Sequence, residues 1–128
     1  MRFPLPGKDL PVIVVHGLKT CDTCRKALKW LTEEGLAHRF HDLRAEGLAE
    51  ADLRRWIAAV GLETLLNRRG TTWRGLPPDQ TAAAESVDGA VALALAHPAI
   101  LKRPIFDRGD AGVIVGFKAE QQAALKAG

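Results

Sequence analysis

A short β-branched run, Pro11-Val12-Ile13-Val14-Val15-His16, is closed by Gly17 and followed almost at once by a helical pattern over residues 22–34. This succession restricts the architecture more than any other feature of the chain. The run reads as a buried strand. Ala27, Leu28 and Leu31 give the helix its apolar side, and Gly35 stops it. Residues 37–43 then alternate roughly, as a second strand parallel to the first would. A parallel pair joined through a helix crosses over right-handedly, so the chain is expected to open on an α/β layer.

The middle of the chain reads differently. Residues 49–60 carry an amphipathic helix pattern (Leu53, Trp56, Ile57, Val60) that ends at Gly61, and residues 67–73 are polar and rich in turn formers. Residues 79–97 return to helix formers and are read as one helix, ended by His97-Pro98. Residues 103–107 and 112–116 look like paired strands around a turn at Arg108-Gly109-Asp110, and residues 118–127 like a closing helix. The expected fold is α/β, with a mixed four-stranded sheet and a helical insertion (about residues 45–101) between the second and third strands. The first ten residues, with two prolines and a glycine, read as a loose lead-in. A chain of 128 residues, 47% of them hydrophobic, suits a single domain whose core needs no disulfide or structural metal.

Composition narrows the function. Eighteen basic residues are nearly offset by fifteen acidic ones, for a formal charge of +3, and the charges are scattered without a basic run or interleaved aromatics. Direct nucleic-acid binding is therefore not expected. The N-terminus lacks an apolar leader core and a small-residue cleavage site, and no stretch reaches the length a membrane span needs. The chain is expected in the cytoplasm, without a membrane partner. There, two cysteines three positions apart are better suited to redox chemistry than to a structural staple.

Thr20-Cys21-Asp22-Thr23-Cys24-Arg25-Lys26 lies where the first strand gives way to the first helix. A cysteine at a helix start faces unsatisfied backbone amides and the positive end of the dipole, both of which favour thiolate. Lys19, Arg25 and Lys26 would add to this if turned inward, and Asp22 would oppose it. The kinetic gain is bounded. A free thiol of pKa about 8.5 is roughly 3% ionised at pH 7, and a pKa near 6.5 would raise that roughly 25-fold. Lower intrinsic nucleophilicity takes back about six- to tenfold of the gain. Positioning and a resolving thiol must supply the rest. Cys24, one helical turn on, is the candidate resolver and Cys21 the nucleophile. Zinc binding would need two more Cys or His ligands at suitable spacing. Cys24 as a buried small residue is the plainer alternative.

His16-Gly17-Leu18-Lys19-Thr20-Cys21-Asp22-Thr23-Cys24-Arg25-Lys26-Ala27, with Trp30-Leu31, resembles the start of the arsenate reductase-like family that also contains the Spx regulators. Residues 65–73, ending Gly70-Thr71-Thr72-Trp73, and residues 97–105 around Arg103-Pro104 resemble the family's second and third marks. The Gly-Thr-Thr-Trp segment resembles the Spx-like or YffB-like branch. The resemblance covers residues 11–126 and implies a thioredoxin-like fold with a helical insertion. It also implies a cis Arg103-Pro104 peptide beside the reactive cysteine, with Arg103 as the anion-binding arginine. Residues 67–73 would border the cleft.

The resemblance implies a thiol-dependent reductase working through a mixed disulfide of Cys21, with no bound cofactor and glutathione or thioredoxin as reductant. Lys19, Thr20, Arg103 and Pro104 are then the expected substrate-binding residues. A second reading is an Spx-like redox switch that binds RNA polymerase. A third, arsenate reduction proper, is weakened by Asn67 and Phe117, which stand where further oxyanion-binding arginines are expected. His16 is a weaker candidate base near Cys21. His38 and His41, read as sharing one face of the second strand, are expected at the surface rather than on a metal. His97 is read as a helix-end device, and Trp30, Trp56 and Trp73 as packing residues.

Overall fold

Strand β1 (Ile13–Gly17) forms where β-branched side chains permit it, and Ile13 and Val15 are buried. The structure is a computed structural model describing residues 12–127. The N-terminal lead-in therefore lies outside the described residues. Helix α1 (Asp22–Glu33) buries Cys24, Ala27 and Leu31, a spacing of three and four that keeps them on one side. It stops at Gly35, whose φ of +70° suits a residue without a Cβ, and the Leu36 amide closes back onto the Leu31 carbonyl at 3.0 Å. Strand β2 (His38–Asp42) then pairs parallel with β1, as the sequence predicts.

The chain leaves the sheet after β2 and returns as β3 (Ile105–Asp107) and β4 (Val113–Val115), an antiparallel hairpin. Strand β3 is antiparallel to β1, so the sheet order is β2-β1-β3-β4. One side of this mixed sheet carries the core. Ile13, Val15, Ala27, Leu31, Phe106 and Leu125 form it, the last from the C-terminal helix (Ala119–Ala127). Trp30 and Phe117 pack against this core with ring centroids 5.5 Å apart.

Residues 43–102 form a compact unit of their own. It contains α2 (Glu50–Val60), α3 (Leu62–Leu65), α4 (Thr71–Arg74), α5 (Pro78–Ala83) and α6 (Val87–Ala96). Trp56 of α2 is completely buried, and α2 packs against α6. The C-terminal end of the unit is tied to its middle. Leu66 bridges Leu101, the Asn67 amide donates to the Ile100 carbonyl at 2.7 Å, and Lys102 donates to Leu65 at 2.8 Å. No helix among the described residues is long and apolar enough to cross a membrane.

The single helix expected over residues 79–97 is in fact two. Ser86 interrupts it, because its side-chain oxygen accepts the Gly89 amide at 3.0 Å and starts α6 as an N-cap. Gly89 completes the break. A Cβ there would collide with the Ala83 carbonyl at the end of α5. Gly89→Ala should destabilise the protein by about 1–3 kcal/mol, the overpacking cost outweighing the helix propensity gained. Ser86→Ala should cost about 1 kcal/mol through the lost cap. Urea unfolding measures both, and a Gly89→Ala protein as stable as its parent would refute the steric account.

Candidate functional site

Cys21 is the N-cap of α1, with extended backbone (φ −87°, ψ 120°). Its carbonyl accepts the first helical bond, from the Arg25 amide at 3.1 Å, and its own amide closes a turn onto the Leu18 carbonyl at 2.9 Å. The amides of Thr23 and Cys24 have no earlier helical carbonyl to bond, and both face the Cys21 sulfur. Burial is the largest influence on this thiol and opposes its ionisation. The Cys24 amide, the Cys24 thiol, the Arg103 guanidinium and the Thr23 amide together outweigh burial and hold Cys21 below the ordinary thiol value. The side chain is half-buried, so it remains reachable.

Cys24 is the opposite case. It is completely buried, and burial above all pushes its thiol up to about 11. The Leu18 amide and the Arg103 charge pull it down, while the Cys21 sulfur pushes it further up. Its sulfur lies against the backbone of Gly17, where any Cβ would collide with it. Glycine at the end of β1 is thus required by the second thiol, a role that reading it as a strand terminator misses.

Arg103 and Pro104 immediately precede β3, and the peptide between them is cis, as the family resemblance implies. Pro104 is buried, and Arg103 is half-buried with its guanidinium at the Cys21 thiol. Lys19 and Thr20 are exposed on the turn before Cys21. The Lys19 amide donates to Asp42 Oδ2 at 2.9 Å, across 23 positions of sequence. Asp42 is 6% exposed and stands opposite Gly17 in the β1–β2 register. It is the one buried position of this edge strand.

Several expected contributions fall elsewhere. Arg25 is exposed and ion-paired with Asp22, so neither charge is directed at the thiol. His38 and His41 do not share a face, because side chains three apart in a strand point to opposite sides. His38 Nδ1 lies 2.8 Å from the Leu36 carbonyl, while the His41 ring packs on His16 at 4.8 Å. His16 is buried in that pair, and its imidazole is not among the groups that set the Cys21 thiol. Phe117 packs with Phe106 and Trp30. Asn67 ties its own turn, its carbonyl accepting the Gly70 amide at 3.2 Å.

In the unit of residues 43–102, Arg68 lies 5.8 Å over the Trp73 ring and 3.8 Å from Glu63, beside a shallow groove of about 630 Å³. Leu62, Pro78 and Thr81 also line this groove. His97 ends α6, its amide donating to the Leu93 carbonyl at 2.8 Å. Among the described residues no group of three His, Cys, Asp or Glu side chains is arranged to hold a metal ion.

The contrast between the thiols gives a direct expectation. Cys21 should alkylate with iodoacetamide at neutral pH, its rate levelling off below the pH expected of a free thiol. Cys24 should react slowly and keep accelerating as pH rises towards 11. Rates measured on the Cys24→Ser and Cys21→Ser proteins separate the two, and equal rates or a faster Cys24 would reverse the assignment.

Comparison with known proteins places the chain in a family. The ArsC family model matches residues 16–125. An uncharacterised protein of Haemophilus influenzae is 39% identical over 117 residues, which cover 89% of this chain and 99% of that protein. Among solved structures, a YffB protein is 43% identical with a TM-score of 0.81, over 88% of this chain and 97% of that one. An arsenate reductase (ArsC) related protein from Brucella melitensis is 41% identical with a TM-score of 0.69, over 88% and 92% of the two chains. With its thioredoxin-like mixed sheet, its inserted helices and a match over most of its length, the chain belongs to the ArsC family of arsenate reductase-like thiol oxidoreductases.

Proposed function

We propose that the protein is a thiol–disulfide reductase in which Cys21 is the nucleophile, Cys24 the resolving thiol and Arg103 the anion-binding group. The observation that carries this reading is the pairing of an accessible, acidified Cys21 with a buried Cys24 one turn away, under one guanidinium. The Cys21 thiolate attacks one sulfur of a substrate disulfide, forming a mixed disulfide and releasing the other sulfur as a thiolate. Cys24, once deprotonated, attacks the Cys21 sulfur, forming the Cys21–Cys24 disulfide and releasing the second substrate thiolate. Two electrons have then passed to the substrate, and two glutathione thiols or one thioredoxin dithiol return them to the protein.

Arg103 suits a substrate that carries a carboxylate, since its planar fork binds that group with two parallel hydrogen bonds. Glutathione and glutathione mixed disulfides are of this class. Lys19, Thr20 and Pro104 would line the approach to Cys21. Arsenate is the less suitable substrate, because a dianion calls for several strong donors. In the unit that holds Cys21, Arg25 is engaged by Asp22, and Arg108 donates to the Ala111 carbonyl at 2.8 Å. Two free thiols also suit the reducing cytoplasm. The cysteine pair favours a second reading, an Spx-like redox switch acting on RNA polymerase, which requires reversible oxidation but no turnover.

Steady-state turnover of a glutathione mixed disulfide and of arsenate, each with glutathione or thioredoxin supplied, tests the proposal. The disulfide should be reduced, Cys21→Ser should fall to the uncatalysed rate, and mild oxidation should yield a monomer lighter by two hydrogens. Oxidation without turnover would favour the switch, and turnover of arsenate alone would overturn the substrate assignment.

Arg103→Ala should raise the Cys21 pKa, titrated as thiolate absorbance in a Cys24→Ser background, because the guanidinium hydrogen bond to the thiolate is lost. Arg103→Lys should keep part of that effect but lose recognition of the substrate carboxylate. Arg68→Ala is the control. An unchanged titration in Arg103→Ala would remove Arg103 from the site.

A further inference from the structure

The turn that presents Cys21 is short and solvent-facing, and its exposed residues Lys19 and Thr20 have little packing of their own. Two backbone bonds fix its path. One is internal, from the Cys21 amide to the Leu18 carbonyl at 2.9 Å. The other reaches out of the turn, from the Lys19 amide to Asp42 Oδ2 at 2.9 Å. Asp42 closes the parallel ladder opposite Gly17, so its backbone is fixed by the sheet and its carboxylate is nine-tenths buried. A buried carboxylate is costly unless hydrogen-bonded, and a charge-assisted bond to a backbone amide is among the stronger kinds.

We propose that Asp42 is a positioning residue: its carboxylate holds the Lys19 amide and thereby fixes the Leu18–Cys21 turn that sets Cys21 at the start of α1. This rests on the reading of Cys21 as the reactive thiol. Asp42 acts through the backbone and is not among the groups that set either thiol. Its effect reaches both sulfurs, because Leu18 opens the turn with the amide that faces Cys24 and Cys21 closes it. With the turn released, the Thr23 and Cys24 amides would no longer be aimed at the Cys21 sulfur, and the thiol would revert towards ordinary acidity.

The test uses the full chain in a Cys24→Ser background and two readouts that need no substrate. These are hydrogen exchange at the Lys19 amide and the pH profile of Cys21 alkylation. In Asp42→Ala the Lys19 amide should exchange about tenfold faster or more. The Cys21 midpoint should also rise by about half a pH unit or more. Asp42→Asn, which keeps an acceptor oxygen in place, should stay near the parent in both. Asp42→Ser, whose oxygen falls short of Lys19, replaces the alanine variant if that one does not fold. A folded Ala or Ser variant with parental exchange and parental midpoint would overturn the proposal, as would an Asn variant that loses both. If instead Cys21→Ser keeps full turnover, the nucleophile assignment fails while the exchange result still decides the role of Asp42.

Discussion

Two parallel strands cannot be joined by a tight turn, because the chain must travel back along the sheet before it can run the same way again. β1 and β2 are such a pair, and α1 makes the return. The helix therefore starts at the C-terminal end of β1. Strand β3 is antiparallel to β1 on its other side, so its N-terminal end, preceded by Arg103-Pro104, comes to the same edge. The end of β2, at Asp42, comes there too. Topology alone thus delivers the Cys21 turn, Arg103 and Asp42 to one rim of the sheet, although they lie far apart in sequence. In the chain the unit of residues 43–102 stands between β2 and β3, and its own backbone bonds tie residues 100–102 to residues 65–67.

Two cysteines three residues apart acquire different chemistry from a single turn of helix. At the first position the sulfur stands outside the helical hydrogen-bond ladder, where N-terminal amides are free to face it. At the fourth it points into the core beneath the backbone of Gly17, and its charged form meets mainly desolvation. No difference in residue type is involved. The division into an ionisable and a resistant thiol follows from the phase of the helix relative to the sheet. That phase is fixed by Ala27 and Leu31 packing on Ile13 and Val15.

What could be read from the sequence is what local pattern encodes. β1, α1 and β2 are visible because β-branched runs, three–four apolar spacing and a stopping glycine are contiguous signals. Cys21 is visible because its pair straddles that junction. The break at Ser86 was hidden in an alanine-rich stretch where propensity favours continuing the helix, and only the capping bond and the Gly89–Ala83 contact end it. The Lys19–Asp42 bond spans 23 positions and leaves no local trace. The need for Gly17 to lack a side chain likewise depends on where the Cys24 sulfur comes to lie. The cis Arg103-Pro104 bond was legible only through likeness to a family, since most X-Pro bonds in folded proteins are trans.

The opposed acidities also impose an order on the proposed reaction. With burial pushing its thiol up to about 11, Cys24 stays protonated at pH 7 and in the proposed reaction does not compete with Cys21 for substrate. Part of that resistance comes from Cys21 itself, through its negative charge and through the hydrogen bond in which the Cys24 thiol donates to it. Once Cys21 is tied up in a mixed disulfide, its sulfur is neutral and both effects lapse. The pull of the Arg103 charge and the Leu18 amide on Cys24 persists. Burial remains the larger obstacle, so Cys24 does not become a strong acid. It becomes easier to ionise at the moment when a disulfide to attack exists one turn away. In the proposed reaction Cys24 would thus be quiet before substrate arrives and more available afterwards, because the group that suppresses it is the one the first step consumes.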